Sequence, residues 1–217
     1  MANTVASQAN AVLAIDLSAF LAKWKITSYE FFGSVIREDF RPDSDVDILV
    51  TYAPDSHRTL SDLMQMDEEL AAIFGRKVDI VERKAVEESP NYIRRKLILE
   101  GDKRFTKDDA RLLDILFYAR DIRRFAEGAT VESFESEDSP SPDAIAFCMS
   151  QISRRAATLT DATRSREPRI DWTKLAGLHE RMQDEHFNLD KPFAWVFSTT
   201  DVPNLIHLIE PLVPPED

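Results

Sequence analysis

The stretch GSVIREDFRPDSDVDILV, residues 33–50, decides how the first half of this chain is read. It holds Gly33-Ser34, ten intervening residues, and then Asp45-Val46-Asp47 at the entrance to the apolar run Ile48-Leu49-Val50. Side chains alternate along a β-strand, so two acids separated by one residue project from the same face and can share metal ions. The Gly-Ser pair closes the run TSYEFF and is read as opening a short helix, whose free backbone N–H groups and positive dipole end can receive a phosphate. Working outward, a third acid, Asp79, lies in a second apolar strand, KVDIV. Three carboxylates plus a phosphate-binding turn are the minimum equipment for two-metal nucleotidyl transfer, in which cations stabilise both the attacking and the leaving oxygen.

On these residues, positions 26–104 resemble a minimal nucleotidyltransferase of the polymerase-β-like superfamily, the MntA-like antitoxin kind. The resemblance rests on Gly33-Ser34, on Ser-Asp-x-Asp from Ser44 to Asp47, and on Gly75-Arg76-Lys77-Val78-Asp79 leading into the third acid. Most of residues 108–210 is similar to a HEPN domain of the HepT type, carried by the pattern DDARLLDILFYARDIRRFAEGATVESF, a central helix, and DWTKLAGLHERMQDEHFNLDKPFAWVFSTTDVPNLIHLI. Such pairs usually occur as toxin–antitoxin partners on two chains; here they are joined. The implied fold is α/β plus all-α. An N-terminal polymerase-β-like domain with a small mixed sheet is expected over 1–106, and a C-terminal HEPN helical bundle over 107–217.

Length and composition agree with two small domains. A chain of 217 residues exceeds the usual domain of about 100–150, and 43% hydrophobic content suffices for two modest cores. Lys+Arg 27 against Asp+Glu 39 gives −12, with acid in excess in both halves and more so in the second. Long-range attraction to RNA or anionic lipid is disfavoured, which leaves a local basic patch as the route to RNA. A single cysteine excludes an intrachain disulfide, and no signal peptide or long apolar span is seen, so no membrane association is expected and the cytoplasm is the expected compartment. Cys148, within AIAFCMSQI, reads as a small buried residue rather than a nucleophile, because no activating base is suggested beside it.

Periodicity gives the organisation. Residues 5–23 read as an amphipathic helix, followed by strand, short helix and strand. From Leu60 to Phe74 the set Leu63, Met64, Met66, Leu70, Ile73 and Phe74 keeps helical spacing, with Met64 and Met66 as core fillers and Gly75 where a C-cap is expected. KVDIVE is the third strand, residues 90–100 a closing helix, and EGDKRFTK the polar junction. Beyond it, residues 108–127, 143–160, 172–187 and 190–210 read as helices, the last broken near Pro203, with ESEDSPSP as a loop.

Each candidate site has a bland competitor. Asp45 and Asp47 could close a turn before a solvated strand edge, since PDSD is ordinary turn chemistry. Asp79 could lie on an exposed face. Ser34 could be merely an N-cap, although capping and phosphate binding use the same geometry. Arg37, one turn on, is placed to reach phosphates or to be solvated. The family commonly has a small residue, arginine and glycine where this chain has Ile36, Arg37 and Glu38, and Glu38 adds negative charge near a triphosphate.

The resemblance implies roles. Asp45 and Asp47 would hold Mg²⁺, or Mn²⁺ in its place, with the triphosphate of ATP completing the shells, while Gly33, Ser34, Ser44 and Arg37 bind the nucleotide. Asp79 would ligate the metal beside the acceptor hydroxyl, so that in-line attack on the α-phosphorus expels pyrophosphate.

HEPN ribonucleases use an arginine and a histidine four to six residues apart. Aligning Trp172, Gly177, Phe187 and Asp190 without gaps puts His179 at the arginine position, Asp184 at the histidine position and His186 where the AMP-accepting tyrosine would stand. In the other register Arg181 and His186 form an Arg-x4-His pair, and Glu180, Asp184 and Glu185 beside them would repel RNA. The gapless register, together with SRRA at 153–156 where the family has Gly-Glu-Ala, describes a vestigial nuclease.

Two functions stay open at this point. One is a Mg²⁺-dependent nucleotidyltransferase that moves AMP from ATP onto a protein tyrosine or an RNA end, its inactive HEPN module serving as a dimerising or docking unit. The other is a protein that senses ATP without turnover and sequesters a partner, with residual ribonuclease activity as a weaker third. Expected partners are a second copy of the chain, paired through the HEPN domain around Phe193, Trp195 and Leu205, and a HEPN toxin or other protein as acceptor.

Overall fold

The computed structural model describes residues 9–36, 40–41, 44–136, 141–182 and 189–216. The chain divides into two compact units, 1–103 and 104–217.

In the first unit a three-stranded sheet has the order β1-β2-β3, with β1 (Ile26–Phe32), β2 (Val46–Tyr52) and β3 (Val78–Glu82). β1 pairs with β2 antiparallel and β2 with β3 parallel, so the sheet is mixed. A parallel pair requires a crossover of a dozen or more residues, and helix α3 (Leu60–Phe74) supplies it. Thr59 and Asp62 form a capping box at its start, the Thr59 N–H holding the Asp62 carboxyl below its usual range, and Gly75 ends it in the left-handed conformation at φ 63°.

The central strand is buried on both faces. Val46, Ile48 and Val50 face the larger cluster, with Val12, Leu17, Phe20, Met66, Leu70 and Phe74. Leu49 faces a smaller one, with Phe32 and Val86, against which Val81, Ile98 and Leu99 pack. Burial of each such side chain stabilises by roughly 1.5–3 kcal/mol. The smaller cluster is covered by α4 (Arg83–Glu87) and α5 (Tyr92–Leu99).

The residues expected as one helix over 5–23 are two among those described, α1 (9–13) and α2 (Ser18–Lys23). The Asp16 carboxylate accepts both the N–H of Ser18 at 2.8 Å and its hydroxyl at 2.5 Å, a local bond that competes with helix continuation. Met64 is not a core filler. It is 60% exposed, because α3 buries the stripe Met66-Leu70-Phe74 and Met64 lies about half a turn away from it.

The second unit is helical: α6 (Lys107–Ala126), α7 (Val131–Glu135), α8 (Ser141–Ala157), α9 (Asp161–Arg164), α10 (Trp172–Ala176), α11 (Leu178–Arg181), α12 (Lys191–Val196) and α13 (Val202–Ile209). Helices α6 and α8 form its spine and are joined by Asp114 and Arg155 at 2.7 Å, with the Arg155 guanidinium over the Tyr118 ring. Asp108 accepts the N–H of Thr160 at 2.9 Å and its hydroxyl at 2.7 Å, fixing the entry to α9.

The helix expected over 172–187 breaks at Gly177, and residues 183–188 lie outside those described. The helix expected over 190–210 is interrupted by a π turn, Phe197–Asp201, just ahead of Pro203. Proline has no N–H to return to the preceding turn, and the hydroxyls of Ser198 and Thr199 bond back to the carbonyls of Ala194 and Trp195, which bends a helix further. Cys148 is buried, and burial pushes its thiol up to about 11, with the nearby Asp121 charge acting in the same direction. That leaves it a packing residue. Among the described residues no helix is long and apolar enough to cross a membrane.

Candidate nucleotidyl-transfer site

Register builds the site. In the parallel ladder Asp47 stands opposite Asp79, and Phe32 of β1 stands opposite Asp47 from the other side. Paired residues point to the same face, so both acids share the face of Leu49 and Phe32, against which the smaller cluster packs. Asp47 is 3% exposed and Asp79, on the outer strand, has a side chain 43% exposed. One carboxylate is thus embedded and the other open to an incoming molecule.

Two residues upstream the same alternation brings Asp45 opposite Lys77. The Val46 N–H bonds to the Lys77 carbonyl at 3.1 Å, which extends the ladder just past the strand end. The Lys77 ammonium lies 2.7 Å from Asp79 Oδ1 and 3.3 Å from Asp45 Oδ2. Its hydrogen bond to Asp79 raises its pKa above the usual lysine value, helped by Asp45. The four side chains form a two-by-two array, Asp45 and Asp47 on one strand, Lys77 and Asp79 on the next. Further along this face Glu30 is engaged by Arg83 at 2.5 Å.

Gly33 supplies the other wall. It adopts φ +74°, and a β-carbon placed on it would fall 2.1 Å from Asp47 Oδ2. Only glycine lets the turn approach the carboxylate this closely. Gly33 opens a 3-10 turn of four residues, Gly33–Ile36, which buries Val35 and leaves Ser34 half-buried. One turn carries little dipole, so anion attraction here has to come from the N–H groups themselves.

Ser44 closes a loop. Its hydroxyl accepts the Arg41 N–H at 3.0 Å, its own N–H returns to the Arg41 carbonyl at 3.1 Å, and Arg76 donates to the Ser44 carbonyl at 3.3 Å while covering the buried Phe40 ring. Arg37 lies outside the described residues.

The donor set is all carboxylate, which suits a hard divalent cation such as Mg²⁺. Among the described residues, however, no three acidic, histidine or cysteine side chains are gathered closely enough to hold a metal. Lys77 stands between Asp45 and Asp79 instead. Period two across KVDIV was the signal that places Lys77 beside Asp79, and the sequence reading gave it no role.

In the helical unit His179 and Arg181 fall on α11 and are exposed. The His179 N–H reaches the Ser153 hydroxyl at 3.4 Å, that hydroxyl donates to the Ala176 carbonyl at 2.5 Å, and the Arg181 guanidinium covers the Phe193 ring at 5.2 Å. Asp184 and His186, on which the two registers of the nuclease pair depend, lie outside the described residues. Leu205 is buried and Trp195 packs on Phe134 at 5.3 Å, so both serve this unit's own core.

Comparison with known proteins follows the same division. A family model described as a nucleotidyltransferase domain matches residues 17–112, and one described as ribonuclease HepT-like matches residues 115–212. Two proteins of Methanocaldococcus jannaschii, each named "putative protein adenylyltransferase", are 33% identical to this chain over 64 residues. That stretch is 30% of this chain and 64% or 63% of theirs, so the chain spans under two thirds of the length of these relatives. No solved structure matches.

Proposed function

From a chain that joins a nucleotidyltransferase domain to a HepT-like domain, we propose a metal-dependent enzyme that moves AMP from ATP onto a hydroxyl of a separate molecule, a protein tyrosine ahead of an RNA end. The observation that carries this reading is the direct pairing of Asp47 with Asp79 behind the Gly33 turn. Mg²⁺, or Mn²⁺, held by Asp45, Asp47 and Asp79 would supply charge neutralisation for the attacking and leaving oxygens. Gly33 and Ser34 present backbone N–H groups to the phosphates. The acceptor oxygen forms a bond to the α-phosphorus, the bridge to the β-phosphate breaks, pyrophosphate leaves, and the hydroxyl proton passes to water or to a carboxylate of the site. Asp79, exposed on the outer strand, is the carboxylate an acceptor can approach.

The two relatives named as protein adenylyltransferases support AMP and a protein acceptor. The helical unit, its nuclease pair altered in the gapless register, serves to dock the target in a system related to toxin–antitoxin pairs, and a second copy of the chain joins through it. A second reading, nucleotide sensing without turnover, draws on Lys77, which already neutralises two of the three acids.

Full-length protein incubated with Mg²⁺ and α-labelled ATP separates the two. Label is expected on a HEPN-type protein or another separate acceptor, and to vanish in Asp47→Asn. Normal Mg²⁺-ATP binding with no label beyond the chain itself would overturn transfer in favour of sensing.

A further inference from the structure

The array on β2 and β3 carries a residue that the transfer chemistry does not use. Lys77 reaches across the ladder to Asp45 and along its own strand to Asp79, at 3.3 and 2.7 Å, and so occupies the space into which those two carboxylates would have to turn to meet on one ion. Among the described residues no three-acid group is gathered beside this bridge.

We propose that Lys77 is the resident cation of the site: it holds Asp45 and Asp79 in place while no divalent ion is bound, and it must be displaced for one to bind. Lys77 thereby sets the metal concentration at which the site fills. The proposal rests on the metal-dependent reading above.

Magnitudes decide that the bridge yields. The Lys77 side chain is 65% exposed and its two partners 42% and 43%. An ion pair this solvated contributes only about 0–1 kcal/mol, whereas a divalent cation meets both carboxylates and the embedded Asp47 together. Lysine suits the part. Its ammonium is a point charge on a flexible stem, free of the planar fork that would lock an arginine onto a carboxylate. At 65% exposure the side chain has solvent to swing into.

The test is direct metal binding by the full chain without nucleotide. Mn²⁺ is titrated by electron paramagnetic resonance into wild type, Lys77→Met, Lys77→Arg and Asp47→Asn, with melting temperature followed in parallel. Removal of one positive charge from beside the ion should tighten Mn²⁺ binding in Lys77→Met by roughly tenfold, and its metal-free form should melt below wild type while the Mn²⁺-saturated forms melt together. Lys77→Arg, which keeps the charge, should bind no tighter than wild type. Unchanged or weaker Mn²⁺ affinity in Lys77→Met, with Asp47→Asn still abolishing binding, would overturn the role of Lys77 and leave the metal site standing. Failure of both wild type and Lys77→Met to bind Mn²⁺ would overturn the metal-dependent reading and this inference with it.

Discussion

Gly33 and Asp47 are in mutual contact across the turn, and the contact has no room for a methyl group. Gly75 offers the control, since it shares the left-handed backbone but has nothing within 4 Å of the position a β-carbon would take. Alanine at either site strains the backbone by about 1–2 kcal/mol, but only Gly33→Ala also pushes the Asp47 carboxylate aside. Urea denaturation should show Gly33→Ala less stable than Gly75→Ala, and nucleotide-dependent stabilisation should survive only in the latter. Equal retention in both would remove Gly33 from the site.

The unequal burial of the paired aspartates predicts unequal phenotypes. Asp47→Asn alters the embedded member and should abolish the rise in melting temperature that Mg²⁺ and ATP produce together. Asp79→Asn alters the open member, and should reduce that rise without abolishing it while transfer falls on the order of a hundredfold or more, as expected when several kcal/mol of charge stabilisation are lost. Differential scanning fluorimetry and label transfer read the two effects separately.

Asp108 contributes to the acid stability of the helical unit. Burial pushes its carboxyl up, but the Thr160 hydroxyl and N–H, with Thr163 and Arg111, outweigh burial and hold it below its ordinary value of 3.8. The stability it contributes is therefore complete above pH 3.8 and is lost as pH falls through the lowered folded value. Asp108→Ala strands the Thr160 N–H and should cost about 1–3 kcal/mol at neutral pH. Urea midpoints measured against pH should fall more steeply below 3.8 in wild type than in the variant.

If the gapless register holds and Asp184 occupies the general acid/base position, purified protein should not cleave single-stranded RNA at neutral pH without metal. Gel assays that show cleavage abolished by His186→Ala would establish the Arg181–His186 register and restore a nuclease.

Light scattering at micromolar concentration is expected to give twice the 24.8 kDa of one chain. Since Leu205 and Trp195 are spent on the unit's own packing, Phe147 and Val196, 58% and 54% exposed, are the most exposed large apolar side chains among the described residues of this unit and the candidates for a pairing surface. Phe147→Glu should shift the mass to that of one chain without lowering the melting temperature.

Much of the fold was legible because local rules and tertiary structure agree. Alternation put Asp45 and Asp47 on one face and Asp79 in a second strand, and the ladder then pairs Asp47 with Asp79 directly. Helix α3 was readable to the residue because apolar spacing runs from Leu60 to Phe74 and Gly75 marks its end, and the structure adds the Thr59–Asp62 cap at its start. Where a side chain competes with the backbone, periodicity failed: Asp16 captures Ser18 and splits a helix that hydrophobic spacing runs together. Met64 belonged to an apolar set with helical spacing, but the sheet covers only one stripe of the helix, and which stripe depends on crossover geometry absent from the sequence. Lys77 was visible yet unassigned, since its meaning comes from Asp45, thirty-two positions earlier in the chain.

That separation bears on folding order. The β1–β2 hairpin needs only local closure, whereas the β2–β3 pair forms after the whole of α3 has crossed over. A chain arrested with the hairpin formed and β3 undocked possesses Asp45 and Asp47 but neither Lys77 nor Asp79 beside them. A metal ion shared by Asp45, Asp47 and Asp79 binds the docked state more tightly than the undocked one, and so acts as a latch on β3. Amide exchange along the Val78–Glu82 ladder should slow when it binds, and the β1–β2 ladder should slow far less.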